Sequence, residues 1–127
     1  MLKIMEVHAG ASAHGEYVVL QNQGLTSVSL RGWALCTDAF LQGDASRIAE
    51  ETFIFQDDIP IKPYTSVVLF TGAGEDGWQP TVDGRQAYCA YWGREERIWS
   101  TSANVHILHV FASRRVPPAP AMVSAQA

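Results

Sequence analysis

The stretch Leu30-Arg31-Gly32-Trp33-Ala34-Leu35 decides the fold that this sequence predicts. Its Gly-Trp step lies between two strand-like runs and offers one large ring to a core. A glycine within a strand pattern indicates a bulge or a close backbone approach, which re-aims the alternation so that the indole faces inward. We therefore expect Gly32 and Trp33 to be structural anchors, together with Trp99.

Short β-rich runs separated by Gly, Pro and Asn recur on both sides of this stretch. They predict strands over 2–8, 16–22, 28–35, 52–55, 66–71, 87–92, 97–100 and 105–111. Residues 38–51, with at most one helical turn over 46–51, and residues 72–84 are predicted to be exposed loops. Residues 59–63 cannot form a central strand because each proline lacks a ladder donor. No long stretch has a helical period, so the pattern predicts an all-β sandwich.

The composition is that of one folded domain without a basic field. The chain has 127 residues, 47% of them hydrophobic, which is enough for a core. Its net charge is −4 and its pI about 5.4, so nucleic-acid binding is disfavoured. The printed sequence has no apolar run long enough for a signal peptide or a membrane span, so we expect no membrane insertion, and it does not indicate a compartment.

Two cysteines, Cys36 and Cys89, are too few for a zinc site, which usually takes four ligands. Two interpretations remain open for them. They form a disulfide, or they are two buried thiols.

Several pieces of the sequence, in order, resemble a lamin-tail domain, which is an immunoglobulin-like module. They are Glu16-Tyr17-Val18-Val19-Leu20-Gln21-Asn22, Val28 to Leu35, Phe53-Ile54-Phe55, Ile61 to Gly74 with its Gly-Ala-Gly end, and Ile98 to Leu108. The likeness covers about residues 3–112. Tyr64, Val19 and Asn104 depart from it, since the family usually has a turn glycine, an outward Glu and an acidic residue there.

The resemblance implies an all-β, immunoglobulin-like antiparallel β-sandwich over residues 1–113, followed by a Pro/Ala-rich tail or linker over 114–127. We expect a prokaryotic member of the family. Prokaryotic relatives occur in extracellular or envelope-associated proteins, often beside hydrolases and nucleases. The family has no shared catalytic residues. The implied function is therefore a non-catalytic binding or structural module that makes protein–protein contacts, with no enzyme activity and no cofactor.

One glycine motif needs to be weighed against nucleotide binding. Gly72-Ala73-Gly74-Glu75-Asp76-Gly77 is a literal G-x-G-x-x-G after a strand, but no helix pattern follows and two acidic residues oppose a pyrophosphate. Calcium held by Glu75, Asp76 and Asp83 matches no familiar loop spacing. We predict an ordinary loop.

The histidines do not predict a metal or acid-base site. His106 and His109 are three apart on a predicted strand, so alternation sends them to opposite faces. His8 and His14 flank a loop with no fixed third ligand, and no His–carboxylate pair is predicted from position. The competing hypothesis of an enzyme using the 72–84 loop needs a His and two carboxylates that converge.

The second predicted strand offers the clearest contact surface. If Val18, Leu20 and Asn22 face the core, then Tyr17, Val19 and Gln21 point outward as possible partner contacts. Trp78 and Trp92 are two further candidates. The partner is an unknown protein or a second copy, with the tail that opens at Arg114-Arg115 as a possible docking arm. Alternatives are a nucleic-acid-binding module, which needs a local basic patch, or an accessory domain of a hydrolase or nuclease.

Overall fold

The computed structural model describes residues 1–102 and 104–110, so the predicted tail over 114–127 lies outside the described residues. Ten strands follow one another there: β1 Leu2–His8, β2 Tyr17–Asn22, β3 Val28–Ser29, β4 Trp33–Cys36, β5 Thr52–Ile54, β6 Pro60–Ile61, β7 Ser66–Phe70, β8 Gly77–Pro80, β9 Gln86–Tyr91 and β10 His106–His109. Two short α-helices, α1 Ala39–Gln42 and α2 Ala45–Glu50, separate β4 from β5, and 3-10 turns occupy Ala13–Gly15 and Trp99–Thr101.

The strands form a sandwich, which confirms the predicted fold class. A five-stranded sheet has the order β1-β2-β7-β9-β8, a three-stranded sheet the order β10-β4-β5, and β3 pairs with β6. The pairings in the described residues are antiparallel except that β7 and β9 run parallel. Strands β7 and β9 therefore run in the same direction, and the outward side chains of β9 lie beside those of β7.

The core fills the space behind the five-stranded sheet, because alternation sends every second side chain of β2 and β7 inward. Val18, Leu20, Val67 and Leu69 are fully buried. Trp99 is 2% exposed and belongs to the same core cluster. Burial of each large aliphatic side chain stabilises the fold by about 1.5–3 kcal/mol.

Gly32 forms a turn between two strands, where the sequence predicted a bulge or close approach within one. Its φ is +90°, a conformation that favours glycine. Its N–H donates to Phe55 O at 2.9 Å and its carbonyl accepts from Val110 N at 2.8 Å. The chain thereby passes from β3 to β4, and the half-buried Trp33 ring packs against the core and makes a T-shaped contact with His109.

The predicted exposed loop over 38–51 is mostly exposed, but it contains two short helices where the sequence predicted at most one helical turn. Gly43, with φ +71°, ends the first helix, and the Asp44 side chain caps the second by accepting from Arg47 N at 3.2 Å. Arg47 and Glu51, one turn apart, form an ion pair at 3.2 Å. These local contacts stabilise helices that lack the apolar period by which sequence analysis recognises a helix.

The predicted loop over 72–84 is also wrong in its second half, because β8 pairs there with β9. Thr81 N donates to Arg85 O at 2.8 Å and Gly84 has φ +82°, which closes a hairpin. Trp78 supports it by packing against Tyr88, with ring centroids 5.4 Å apart.

The predicted strand over 97–100 is wrong as well. Ile98 and Ser100 turn their backbone N–H groups to the Glu16 side chain, at 2.9 Å and 2.8 Å, so these donors are not available to a strand ladder.

Candidate functional site

The outward face of the five-stranded sheet is the most distinctive surface of the described chain. On β2, Val18, Leu20 and Asn22 are fully buried, whereas Tyr17, Val19 and Gln21 lie on the opposite face and are half-buried. The orientation is the one that the sequence predicted for this strand. Strand pairing then extends the surface across neighbouring strands.

Four rings form a continuous row across that face, which we call the aromatic row: His8, Tyr17, Phe70 and Tyr91. Each ring comes from a different strand, and the residues are consecutive strand partners. The centroid distances are 4.5 Å for His8 and Tyr17, 5.5 Å for Tyr17 and Phe70, and 4.9 Å for Phe70 and Tyr91. The row exists only because four strands share one register.

The rings are packed against one another. The His8–Tyr17 planes differ by 10° and the Phe70–Tyr91 planes by 12°, so both pairs are stacked. A flat ligand inserted between two rings needs a gap of about 7 Å, twice the usual carbon–carbon contact distance. The row therefore does not accept a base or a sugar between its stacked pairs, and it offers a continuous hydrophobic ridge.

A second row of outward side chains lies beside the first. This apolar row consists of Val19, Val68 and Cys89, which are aligned by the strand pairings. Cys89 is 7% exposed and burial raises the pKa of its thiol. Exposed Lys3 and Glu6 on β1 give the face a polar rim.

The structure places the two other predicted contact residues elsewhere. Trp78 is on the edge strand β8; the residue is 40% exposed and its ring packs against Tyr88. Trp92 is half-buried between Phe53 and Trp99, with both centroids at 5.5 Å, and the Arg94 guanidinium lies 5.1 Å from its ring centre. The predicted set is therefore three residues on one face and two away from it.

Phe70, Tyr91 and His8 were missed by sequence reasoning. Phe70 had a usable signal, because antiparallel pairing of the second strand with 66–71 sets it opposite Tyr17. Tyr91 had none, since its alignment depends on a parallel pairing that the sequence does not announce.

Two histidine–carboxylate pairs occur among the described residues, contrary to the prediction from position: His8 Nδ1 lies 3.7 Å from Glu6 Oε2 at the surface, and His106 pairs with Asp38. His106 Nε2 lies 2.8 Å from Asp38 Oδ1, and this hydrogen bond is the main reason that the pKa of Asp38 is lowered. Cys36 is the strand partner of His106, but burial and then the charge of Asp38 raise the pKa of its thiol. A thiol held in its neutral form is a poor nucleophile.

The remaining histidines do not extend the His106–Asp38 pair. His109 packs on Trp33, away from His106, and His8 stacks on Tyr17. A Cβ at Gly72 would meet His14 Nδ1 at 2.9 Å, so that ring lies against the backbone. Within residues 1–102 and 104–110, no group of three His, Cys, Asp or Glu could hold a metal ion. Cys36 and Cys89 are both free and buried.

Four arginines in the described part of the chain have protein partners. Arg47 pairs with Glu51, and Arg85 lies 3.9 Å from Asp83. Arg94 donates to Glu50 O at 3.0 Å and Arg97 to Gly10 O at 3.1 Å. These contacts favour intramolecular roles for the four guanidinium groups over neutralisation of phosphates.

A buried carboxylate, Glu16, holds the end of the sheet next to the aromatic row, and no sequence pattern indicated this role. It is fully buried and accepts from Thr71 Oγ1 at 2.6 Å, from Ser100 Oγ at 2.5 Å, and from the backbone N–H groups of Ile98 and Ser100. Burial raises the pKa of Glu16, but the hydrogen bonds together outweigh it, so the pKa is lowered. The hydrogen bonds therefore stabilise the charged form of the Glu16 side chain.

The sandwich defines the class of the protein as an immunoglobulin-like module. The family model described as Lamin Tail Domain matches residues 1–114. The chain therefore belongs to the lamin-tail domain family, as the resemblance implied. No significant match was found among curated proteins or among solved structures. None of the helices in the described part of the chain is long and apolar enough to cross a membrane.

Proposed function

We propose that this domain is a non-catalytic module that binds a partner protein through the outward face of its five-stranded sheet. The observation that carries the proposal is the aromatic row, which lies in register beside the apolar row of Val19, Val68 and Cys89. Membership of an immunoglobulin-like family supports an interaction module of this kind.

The chemistry of the face favours a protein over other ligands. An apolar centre with aromatic residues and a polar rim is the usual anatomy of a protein–protein interface. The stacked rings leave no slot for a base or a sugar, and Arg94 and Arg97 are engaged by the protein itself. Packing of a partner's apolar side chains across the ridge needs neither a slot nor a basic field.

The test is a pair of matched substitutions, Val19→Glu and Ile54→Glu. Val19 lies at the centre of the proposed face, while Ile54 is 37% exposed on β5 of the other sheet. Each change places one carboxylate on an apolar surface position, so the pair differs in location and not in chemistry. Proteins that bind the immobilised wild-type domain in an extract of the source cells are identified by mass spectrometry, and each is then purified and titrated against the three domains.

We expect at least one purified protein to bind the wild type and Ile54→Glu equally, and Val19→Glu at least about tenfold more weakly, as for a change at an interface centre. A partner that binds all three domains equally would contradict the proposed face. Light scattering of the isolated domains separates self-association: a wild-type dimer that Val19→Glu dissociates identifies a second copy as the partner.

A further inference from the structure

A cleft of about 730 Å³ lies between the turn that precedes β7 and the hairpin of β8 and β9. Two rings line it, Trp78 at 40% exposed and Tyr64 at 54% exposed, together with Pro60 and Pro63. The volume falls within the usual range of binding pockets, about 300–1,000 Å³. Exposed aromatic side chains are concentrated here without any described segment covering them.

The backbone of Tyr64 indicates that its ring is placed there for contact. Tyr64 has φ +63°, a left-handed conformation that favours glycine. Among the described residues it is the single non-glycine residue with a positive φ. Its N–H donates to Asn22 O at 2.7 Å, which fixes the turn against β2. A glycine would satisfy the same turn, so the tyrosine adds only its exposed ring.

Grooves lined by aromatic residues bind extended proline-rich segments, because the polyproline helix is preformed and loses little entropy on binding. This chain carries such a segment itself, Val116-Pro117-Pro118-Ala119-Pro120. We infer that the cleft between Tyr64 and Trp78 binds residues 116–120 of the same chain.

The chain leaves the described fold close enough to reach the cleft. Val110 N donates to Gly32 O at 2.8 Å, and Gly32 is three residues beyond Ser29, the strand partner of Pro60 at the cleft. This route spans at most about 20 Å, while the seven residues from Val110 to Pro117 extend to about 23 Å.

Opposite charges lie on the fold and in the tail at matching points of this route. Asp57 and Asp58 are exposed between the end of β10 and the cleft, and Asp58 Oδ1 accepts from Ser29 Oγ at 2.5 Å. In the tail, Arg114-Arg115 precedes the prolines. The arginines would therefore pass the two aspartates as the prolines enter the cleft, which gives the segment a direction.

The experiment follows the indole N–H signal of Trp78 by ¹H–¹⁵N NMR in the full-length chain, which has four tryptophans. The signal is assigned with Trp78→Phe. The test variant carries Pro117→Ser, Pro118→Ser and Pro120→Ser, and a matched control carries Met122→Ser and Val123→Ser. The Trp99 signal, from the core, reports that each variant remains folded.

We expect the proline variant to shift the Trp78 signal, with the Trp99 signal unchanged, and the control to shift neither. The shift should persist on dilution because the contact is within one chain. A Trp78 signal that is identical in the wild type and the proline variant would overturn the inference. A difference that disappears on dilution would overturn it in favour of the tail of a second copy. Neither result bears on Val19→Glu, so the two proposals fail separately.

Discussion

Replacement of Glu16 by Gln tests whether the buried carboxylate holds the fold together. Glu16 accepts four hydrogen bonds, two from hydroxyl groups and two from backbone N–H groups. A glutamine has nearly the same size but presents an NH₂ group in place of one oxygen. Whichever way the amide is turned, its NH₂ faces either Ile98 N–H or Ser100 N–H, so one backbone donor loses its acceptor.

The expected cost follows from this count. A buried donor left unsatisfied costs about 1–3 kcal/mol, and the remaining bonds lose the strengthening that a charged acceptor gives. We expect Glu16→Gln to lower the free energy of unfolding by about 3 kcal/mol at pH 7, within the range for a broken buried network. Urea denaturation followed by tryptophan fluorescence measures it. The control is Glu95→Gln, at an exposed position, which should change stability by less than about 0.5 kcal/mol.

The pH dependence gives the same prediction a second readout. The pKa of Glu16 is lowered in the folded state from its ordinary value of 4.5, so its charge stabilises the fold fully above that value. The contribution is lost as the pH falls through the lowered folded pKa, because the wild-type carboxylate is then protonated. The difference between wild type and Glu16→Gln should therefore shrink in acid. A difference below about 1 kcal/mol at pH 7, or one that is equal at pH 7 and in acid, would refute this account.

Two further predictions concern other parts of the sandwich. Gly32→Ala should lower the free energy of unfolding by about 1–2 kcal/mol, because φ is +90° at this turn, and an unchanged urea midpoint would contradict that reasoning. Cys36 and Cys89 should not react with a disulfide reagent at pH 8 in the native protein, since burial raises the pKa of both thiols, and both should react in urea; prompt labelling of either thiol in the native state would oppose this.

The parts of the fold that sequence reasoning predicted well are those that depend on local alternation. The inward set Val18, Leu20 and Asn22 follows from a period of two within one strand, and it is correct. Strand β8 was missed because glycine, tryptophan and proline have no common strand signal. The segment becomes a strand through its pairing with β9. The turn of Asp83 and Gly84 before β9 was the usable hint, because Asp-Gly is a strong hairpin signal.

The candidate site was only partly predictable for a related reason. Sequence patterns give the face of each strand, which was enough for Tyr17, Val19 and Gln21. They do not give strand order, so the neighbours that complete the aromatic row stayed hidden. Whether Trp78 and Trp92 contact a partner stays a prediction, as do the prokaryotic origin and the boundary of the tail.

The buried carboxylate and the aromatic row are linked through the chain itself. Glu16 immediately precedes Tyr17, and Thr71 immediately follows Phe70, so their side-chain hydrogen bond joins the two strands beside the row. At the same end, Trp92 N donates to Phe70 O at 2.9 Å, which continues the parallel pairing that sets Tyr91 against Phe70. A carboxylate in the core therefore fixes the register of the proposed interaction face on the opposite side of the sheet. It follows that Glu16→Gln should weaken partner binding even though the side chain never meets the partner, whereas Glu95→Gln should leave binding unchanged.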